Sequence, residues 1–572
     1  MNFFNEYMSA VRAYEKDIES LRPRFTVTDP NSMMYGTFAS FNMLGDVGGD
    51  IGRIAIASTL YACEDSRYYH SKKMLDAIKD GCAALDKKIH PDGTVDMLET
   101  NFHTAEQFGL EHMSLCALNM KKNLADGDDD RKTFEILCGV IRRLLDGCLH
   151  GGFHTPNHRW VETAAILQGC AVLDFKDCEP YMQKAQKYIA EKIDCDECGE
   201  FSERSAGMYN RHCDHVFLGI YEQTKNRDFL DAVCRNLDLM TYYINDDFSM
   251  FTQNSRRKDK GEVGSQQMFY KATKYYADIY FSQYLLTAYL TGEDRYAAIA
   301  AEIMKNANAH GGRPRVDLEY FLEYPELKRK EFNTDIPALP KTYELYQPKS
   351  NIVRMKNDTA TFSFLAKNPS FLQIEAAGMQ VAVRMCSSFF AVAQFIPDKL
   401  EKTDSGYKMT MIAHGEYKLP LDDPGENTND YWSIDYNARK AVQQQDLKMT
   451  ATLDFCEDGA ELGISVDGCE NVPTKIEFAF NPGLLVEIGD AAMLTRAGAN
   501  AFGKRGTARF ESYEGAVLTL EDVFCKHIYA EGMRGSFSPI DGMFTFYMTD
   551  FAPFNRKVKI KITQAQGTRI FY

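Results

Sequence analysis

The chain has 572 residues, a net charge of −16 and 45% hydrophobic residues. This length predicts two or three domains, because one hydrophobic core does not extend over so many residues. The acidic net charge argues against a nucleic-acid partner, because phosphate binding requires clustered Lys and Arg. The sequence has no apolar run of 18 residues, so it does not predict a membrane partner.

Cysteine usage and the N-terminal sequence predict a cytoplasmic protein. The 15 cysteines are odd in number and spread along the chain, which is typical of reduced thiols rather than of a disulfide framework. The N-terminal segment "MNFFNEYMSAVRAYEKDIESLRPRF" carries charges throughout and lacks the apolar stretch of a signal peptide. The mature form of a secreted protein, renumbered from Met1, is the alternative.

Residues 1–310 have the pattern of a helical domain. Apolar residues recur at spacings of three and four, and roughly a dozen helices are separated by short loops. Successive antiparallel pairs, about six of them, form either an (α/α) toroid or an open solenoid. The absence of a clean repeat at a fixed period favours the toroid.

A charged, Pro-containing connector is predicted at 311–342, and the pattern then changes to alternation with period two. Residues 343–572 therefore predict an antiparallel β-sandwich, which makes the chain an α+β multidomain protein. The clearest alternating segments are "TATFSFLAK", "FLQIEAAG", "MQVAVRM", "KIEFAFN", "MFTFYMTD" and "KVKIKITQ".

The segment "HTPNHRW" is the first candidate site. Pro156 fits the first turn of a helix, and Thr155 is the predicted N-cap. Free backbone N–H groups and the positive end of the helix dipole favour an anion such as a carboxylate at this position. The alternative is an ordinary capped helix whose polar residues are solvated. The candidate side chains here are His154, Asn157, His158, Arg159 and Trp160.

The second candidate segment is "GEFSERSAGMYNRHCDH". Tyr209 and His212 are three residues apart and share a helix face if this segment is helical. A tyrosine beside arginine and histidine is a suitable proton carrier. The alternative places Tyr209 in the core and Arg211 on the surface. Further candidates in this segment are Glu203 and Arg204.

Two more polar segments lie at loop-to-helix junctions. Asn101 and His103 precede a helix predicted to begin near Thr104. The loop "FTQNSRRKDKG" contains Asn254, Arg256, Arg257 and Asp259, and a doubled arginine is able to clamp a sugar carboxylate, although such residues are most often solvated. In a toroid, alternate junctions face one end, so the four segments are expected to share a cleft.

Two of these segments resemble motifs of the heparinase II/III-like polysaccharide lyases. "DECGEFSERSAGMYNRH" is similar to their D-G-x-F-x-E-x-S-x-x-Y-H pattern, and "NHRWVETA" is similar to their N-N-W-x-x-x-E helix start. The resemblance implies a toroid followed by a β-sandwich and the cleavage of uronic-acid glycans by β-elimination. It implies that Asn157 neutralises the uronate carboxylate and that Tyr209 is base, acid or both. It also implies that His158 or His103 is the partner in proton transfer or helps to hold the carboxylate. Neutralisation is chemically necessary, because the C5 proton is very weakly acidic beside a charged carboxylate.

The sequence also departs from that family. His158 and Arg159 separate Asn157 from the tryptophan, and Asn210 follows Tyr209 where the pattern has histidine. The His-x-His-x-Asp segment of many relatives is missing, since His414 and His527 are the only histidines after residue 342. No cofactor is therefore expected, although a divalent metal in the β domain stays open. The pair Cys195 and Cys198 lacks the second pair of a zinc ribbon.

These departures leave two alternative functions. A glycoside hydrolase acting on glucuronides needs two carboxyl groups, and Glu203, Glu162, Glu106 and Asp259 are the candidates. A non-catalytic glycan-binding protein is the second alternative. The acidic charge favours oligosaccharides over a densely sulfated polymer, and a homo-oligomer is left open.

Overall fold

The computed structural model describes residues 1–21, 29, 31–32, 35, 47–96, 105–150, 152–260, 275–310, 312–423 and 429–565, apart from the side chains of 105–107. Over these residues the chain divides into two compact units. The first contains Met1–Phe251, Arg256–Asp259 and Tyr275–Leu339, and the second contains Thr252–Ser255 and the chain from Pro340 onward. The predicted connector therefore does not stand alone, because its residues up to Leu339 belong to the helical unit.

The first unit contains twelve α-helices within the described ranges, which form six pairs as predicted. They are α1 Phe4–Ser20, α2 Gly48–Ala62, α3 Lys72–Asp86, α4 Ala105–Lys122, α5 Asp128–Gly147, α6 Pro156–Val172, α7 Glu179–Ala190, α8 Tyr209–Thr224, α9 Arg227–Tyr243, α10 Phe281–Thr291, α11 Asp294–Ala309 and α12 Leu318–Glu323.

The even-numbered helices form the inner ring of an (α/α) toroid. Helices α2, α4, α6 and α8 pack side by side, and each odd-numbered neighbour from α3 to α9 packs outside them. Helix α12 contacts both α2 and α4, so the last pair of helices meets the first pairs and the ring is closed. The toroid predicted from the lack of a fixed repeat is confirmed over the open solenoid.

Burial patterns explain the two rings. Outer helix α5 is amphipathic, because its buried residues Leu137, Val140, Ile141 and Leu144 recur at spacings of three and four. Inner helix α6 is buried on nearly every side, from Asn157 to Val172. A helix in the inner ring is covered by neighbours all round, so it keeps no polar face toward bulk water.

One predicted helical segment is shorter in the structure. The sequence "SQQMFYKATKYYADIYFSQYLLTAYLTG" has a helical period throughout, but its described part begins at Tyr275. Tyr276 pairs with Ser249 in an isolated β-bridge, a 3-10 turn covers Ala277–Tyr280, and only then does α10 begin at Phe281.

The second unit contains seventeen strands within its described residues. They are β1 Tyr343–Gln347, β2 Ile352–Lys356, β3 Ala360–Leu365, β4 Leu372–Ala376, β5 Met379–Ser387, β6 Leu400–Lys402, β7 Tyr407–Lys418, β8 Ala441–Cys456, β9 Gly459–Asp467, β10 Pro473–Phe480, β11 Leu485–Ile488, β12 Ala491–Leu494, β13 Asn500–Phe502, β14 Arg505–Glu511, β15 Ala516–Phe524, β16 Phe544–Phe551 and β17 Phe554–Gln564. All six alternating segments singled out in the sequence lie on strands.

The strands form two sheets of a β-sandwich. One has the order β1-β2-β3-β4-β5-β10-β16-β13 and the other β12-β11-β14-β15-β17-β9-β8-β7-β6. The strand pairs are antiparallel except for β13 with β16, which is parallel. Apolar side chains of both sheets form one core, in which the ring of Phe480 on β10 stacks on that of Phe510 on β14 at 3.9 Å between centroids.

No helix in the described part of the chain combines the length and apolar character needed to cross a membrane.

Candidate active site

The start of helix α6 lies at the first candidate segment, as the sequence predicts. Pro156 occupies the first turn and Thr155 precedes it with an extended backbone. Thr155 is the N-cap residue, as predicted, but its side chain accepts no backbone N–H of the helix. Its Oγ instead accepts a 3.1 Å hydrogen bond from the amide Nδ2 of Asn157. The hydroxyl thus orients a buried side chain rather than satisfying the helix terminus.

The loop before helix α8 brings Glu203 to Asn157. Gly199 has a φ of +86°, and a Cβ at this position would lie 2.1 Å from the carbonyl oxygen of Arg235, so only glycine fits. Arg204 adopts a φ of +53°, an uncommon conformation for a residue with a side chain. The tight loop turns the Glu203 carboxylate toward the first turn of α6.

Glu203 is the centre of the contacts at this site. Its Oε2 accepts a 2.6 Å hydrogen bond from Asn157 Nδ2, and its Oε1 pairs with the guanidinium of Arg257. Burial raises the pKa of the Glu203 carboxyl, although Asn157 and Arg257 act in the opposite direction. The carboxyl group is therefore more easily protonated than an exposed glutamate.

Tyr209 begins helix α8 beside this cluster. The guanidinium carbon of Arg257 lies 4.1 Å from the centroid of its ring, and the ring of His212 lies one helical turn away at 6.3 Å. The shared face predicted for Tyr209 and His212 is thus present. The Tyr209 side chain is half-buried, and its hydroxyl has no hydrogen-bond partner among the described residues.

Two histidines near Tyr209 are neutral at physiological pH. Burial, with His154 and Arg257 nearby, lowers the pKa of His158 to about 4. Burial and the charge of Arg211 lower the pKa of His212 to about 3. A neutral imidazole retains an unprotonated nitrogen and is able to accept a proton.

The arginines give this site a positive character inside an acidic protein. Arg257 is half-buried, Arg256 is exposed, and burial together with Arg256 lowers the pKa of the Arg204 guanidinium. Arg256 donates to the Ser202 carbonyl oxygen at 3.2 Å, so one of its N–H groups is engaged with the loop. The local charge therefore favours an anionic ligand, in contrast to the net charge of −16.

Other residues predicted to bind substrate have structural contacts. Trp160 is fully buried between the edges of Phe217 and Phe229, and its Nε1 donates to Asp194 at 2.6 Å. Arg159 stacks on the Trp160 ring at 4.2 Å and pairs with Asp194 at 3.1 Å. These contacts hold α6 to the loop that follows α7 and do not fit the predicted binding of a substrate.

Arg211 also has a different position from the one predicted. It is buried and pairs with Asp317, just before α12, while Gln283 of α10 donates to the same carboxylate at 3.0 Å. His215 of α8 lies 3.2 Å from Glu111 of α4. Sequence reasoning did not identify this network inside the toroid, because Arg211 and Asp317 are 106 residues apart and Asp317 falls in the predicted connector.

The carboxyl groups proposed for hydrolysis are separated by their partners. Glu162 is fully buried and pairs with Lys184 of α7 at 2.6 Å, and burial raises its pKa. Asp259 accepts the backbone N–H of Gly207 at 3.0 Å. The side chain of Glu106 lies outside the described residues. Glu203 contacts the side chains of Asn157 and Arg257 beside Tyr209, whereas Asp259 contacts the backbone of the loop before it.

The remaining predicted residues are found as follows. Asn101 and His103 lie outside the described residues, although α4 begins at Ala105 as the sequence indicates. His154 is exposed, with its ring 6.1 Å from that of His158. Asn254 belongs to the second unit. The structure therefore brings together residues of the segments around 157, 203–212 and 257.

In the part of the chain that the structure describes, His112, Cys116 and Glu319 are the single group of three that could hold an ion, and all belong to the toroid. His414 pairs with Asp446, and His527 contacts the carbonyl oxygen of Asp550.

Comparison with known proteins identifies the fold. No family model matches the sequence, and no curated protein matches it. A heparinase III gene product superposes with a TM-score of 0.51 at 11% identity, covering 97% of this chain and 84% of that one.

Two further solved structures are similar over nearly the whole chain. Heparan sulfate lyase HepC from Pedobacter heparinus has a TM-score of 0.49 at 9% identity and covers 99% of this chain and 89% of its own. A GH127 β-L-arabinofuranosidase from Geobacillus stearothermophilus T6 has a TM-score of 0.33 at 10% identity, covering 98% and 96%. At 11% identity, the likeness to the heparinase III gene product establishes the fold alone. The chain has the toroid-plus-sandwich fold of heparinase III, which confirms the fold predicted from its resemblance to heparinase II/III-like lyases.

Proposed function

We propose that this protein is a carbohydrate-active enzyme that cleaves uronic-acid-containing oligosaccharides by β-elimination. The observation that carries the proposal is the position of Tyr209. Its half-buried side chain packs against Arg257 at 4.1 Å, and its hydroxyl has no partner among the described residues. A phenol that is accessible and unengaged beside a cation is suited to moving a proton at an anionic substrate.

The charge distribution supports a uronate ligand. Arg257 lies at the site, while His158 and His212 are neutral because burial and nearby positive charges lower their pKa. A uronate carboxylate would pair with the Arg257 guanidinium alongside Glu203, which already contacts it. The same charge offset makes the C5 proton of the sugar more acidic, which elimination requires.

The contacts of Asn157 favour a different residue as the neutraliser of the uronate carboxylate. Asn157 is fully buried, and its Nδ2 already donates to both Thr155 and Glu203. Two amide hydrogens are therefore both engaged, and no N–H remains for a sugar. We assign neutralisation to Arg257 and give Asn157 the role of holding Glu203.

The proposed reaction needs one proton acceptor and one proton donor. A neutral imidazole, or Tyr209 after it has lost its proton, takes the C5 proton, and the electron pair forms the C4–C5 double bond. The C4–O bond then breaks, and the leaving oxygen takes a proton from Tyr209. Neither step requires a second carboxyl group, which is why elimination fits the described residues better than hydrolysis.

Hydrolysis of a glucuronide is the second candidate, and Glu203 favours it. Burial raises the pKa of this carboxyl, as a general acid requires. A hydrolase also needs a second carboxyl across the scissile bond. Glu162 pairs with Lys184, and Asp259 accepts the Gly207 N–H, so neither is offered to this site in the described structure.

One assay separates the two reactions. The protein is incubated with unsulfated uronic-acid oligosaccharides, and both reducing ends and the ultraviolet absorbance of the unsaturated uronate are followed. Elimination raises the two signals together. Reducing ends without the absorbance would establish hydrolysis and exclude the lyase proposal.

Two variants then test the role of Tyr209. Tyr209→Phe removes the hydroxyl and is expected to lower the rate by at least about 100-fold, the usual contribution of acid–base catalysis. Tyr221→Phe, on the same helix, is the matched control and is expected to keep full activity. Full activity in Tyr209→Phe would remove Tyr209 from the reaction.

A further inference from the structure

Three potential metal ligands lie together inside the toroid, away from any residue given a role above. His112 and Cys116 are four residues apart on inner helix α4, and Glu319 belongs to α12. The Oε1 of Glu319 lies 3.6 Å from His112 Nε2 and 3.8 Å from Cys116 Sγ. The three ligand atoms all lie within 4.8 Å of one another.

These separations match the coordination geometry of a small divalent cation. A tetrahedral ion with bonds of about 2.0–2.3 Å keeps its ligand atoms roughly 3.3–3.8 Å apart. Two ligands at i and i+4 on one helix face the same point, which is the spacing of helical zinc sites. A thiolate, an imidazole and a carboxylate together are a donor set typical of zinc rather than of calcium or magnesium.

The surrounding contacts hold the three groups in place. Tyr14 of α1 donates from its hydroxyl to Glu319 Oε1 at 3.1 Å, and Asn119 of α4 donates to the Glu319 backbone carbonyl at 3.2 Å. Such outer contacts orient a ligating carboxylate. Glu319 is 4% exposed at its side chain and Cys116 is fully buried, whereas the His112 side chain is 42% exposed. Solvent therefore reaches the cluster from the His112 side, which supplies an entry path.

We propose that His112, Cys116 and Glu319 form a binding site for a zinc-like divalent cation, with a fourth position open to water. The complete burial of Cys116 suits a ligand and does not suit a nucleophile that must reach an external substrate. The ion would join α4 to α12, and so would tie the second helix of the inner ring to the last. Its role would be to fasten the closure of the toroid.

Cobalt(II) binding tests this proposal without any substrate. Metal-free protein is titrated with Co²⁺, and the thiolate-to-cobalt charge-transfer band is recorded together with the thermal unfolding midpoint. The expected result is one equivalent of Co²⁺ per chain, a thiolate band, and a rise in the midpoint that zinc reproduces and a chelator reverses.

Four variants test whether the thiolate-to-cobalt band arises from Cys116. Cys116→Ser removes the sulfur ligand and is expected to abolish it, while His112→Gln is expected to weaken cobalt binding by tenfold or more, about 1.4 kcal/mol. Cys213→Ser, a buried cysteine on inner helix α8, and the double change Cys195→Ser with Cys198→Ser are the controls and are expected to keep the band.

Two results would overturn the proposal. One is the absence of a thiolate band in the unaltered protein, and the other is a band that persists undiminished in both Cys116→Ser and His112→Gln. If Cys116→Ser fails to fold, His112→Gln decides the question, because its half-exposed side chain is the least embedded of the three.

Discussion

The amide of Asn157 donates a 2.6 Å hydrogen bond to the carboxylate of Glu203, and both side chains are buried. This bond links the first turn of α6 to the loop before α8. A buried carboxylate that loses a donor keeps its desolvation cost without the compensation. The pair is therefore expected to stabilise the fold as well as the site.

The first prediction concerns Asn157→Ala. Removal of the amide leaves the Glu203 carboxylate with Arg257 as its one side-chain partner among those described above. The free energy of unfolding should therefore fall by about 1–3 kcal/mol. Urea unfolding measures the change. Thr155→Val is the control, since Thr155 contacts only the amide and not the carboxylate, and it should cost less than half as much. Equal effects of the two variants would contradict this account.

The second prediction concerns Arg257, which pairs with Glu203 and covers the Tyr209 ring. Arg257→Met keeps much of the side-chain volume and removes the charge. If Arg257 offsets the uronate carboxylate, kcat/KM for uronate oligosaccharides should fall by roughly 10- to 100-fold, which corresponds to one charged hydrogen bond. Arg256→Gln changes an exposed neighbour and should have a much smaller effect. A similar fall in both variants would show that only general charge matters.

The third prediction is a pH dependence of stability due to His158. Its pKa of about 4 in the folded protein lies below the ordinary value of 6.5, so the unfolded chain binds a proton first as the pH falls. The free energy of unfolding contributed by this group is unchanged above pH 6.5 and decreases between pH 6.5 and 4, by about 3 kcal/mol in total. Glu203 acts in the opposite direction, because its raised pKa favours protonation of the folded state on acidification.

The His158 effect is therefore measured as a difference. Denaturant unfolding of the unaltered protein and of His158→Gln is compared at several pH values between 4 and 8. The variant should lose less stability over this range, and the two curves should run parallel above pH 7. Parallel curves over the entire range would show that His158 titrates normally.

The fourth prediction concerns the loop that presents Glu203. Gly199→Ala places a methyl group 2.1 Å from the Arg235 carbonyl oxygen at a φ of +86°. The substitution should destabilise the protein by about 1–3 kcal/mol and displace the loop. Gly139→Ala is the matched control, because Gly139 lies on the exposed face of α5 and nothing lies within 4 Å of a Cβ at this position. That change should stabilise the protein by about 0.5–1 kcal/mol. Thermal unfolding should therefore show a lower midpoint for Gly199→Ala and a higher midpoint for Gly139→Ala.

The alternating strands were the part of the fold most readily predicted. On β17, Val558, Ile560 and Ile562 are buried, while Lys557 and Lys559, which alternate with them, are exposed, so the period of two appears directly in the sequence. The start of α6 was predictable for a similar local reason, since Pro156 fits the first helical turn and few other positions.

Contacts between distant segments were not predictable in the same way. The partner of Glu203 is Arg257, 54 residues later, and the partner of Arg211 is Asp317, 106 residues later. Nothing local in the sequence distinguishes an arginine that pairs in the interior from one that is solvated. The residue types at the candidate site could be proposed from the sequence, but their pairing depends on the closure of the toroid.

The loops that meet at Glu203 are also linked through their backbones. The N–H of Arg256 donates to the Glu203 carbonyl oxygen at 3.0 Å, and the N–H of Gly207 donates to the Asp259 carboxylate at 3.0 Å. Each loop thus supplies both a donor and an acceptor to the other, so neither can open alone. Amide hydrogen exchange at Arg256 and Gly207 is therefore expected to proceed with one shared opening free energy, and the two loops would separate as a single cooperative unit.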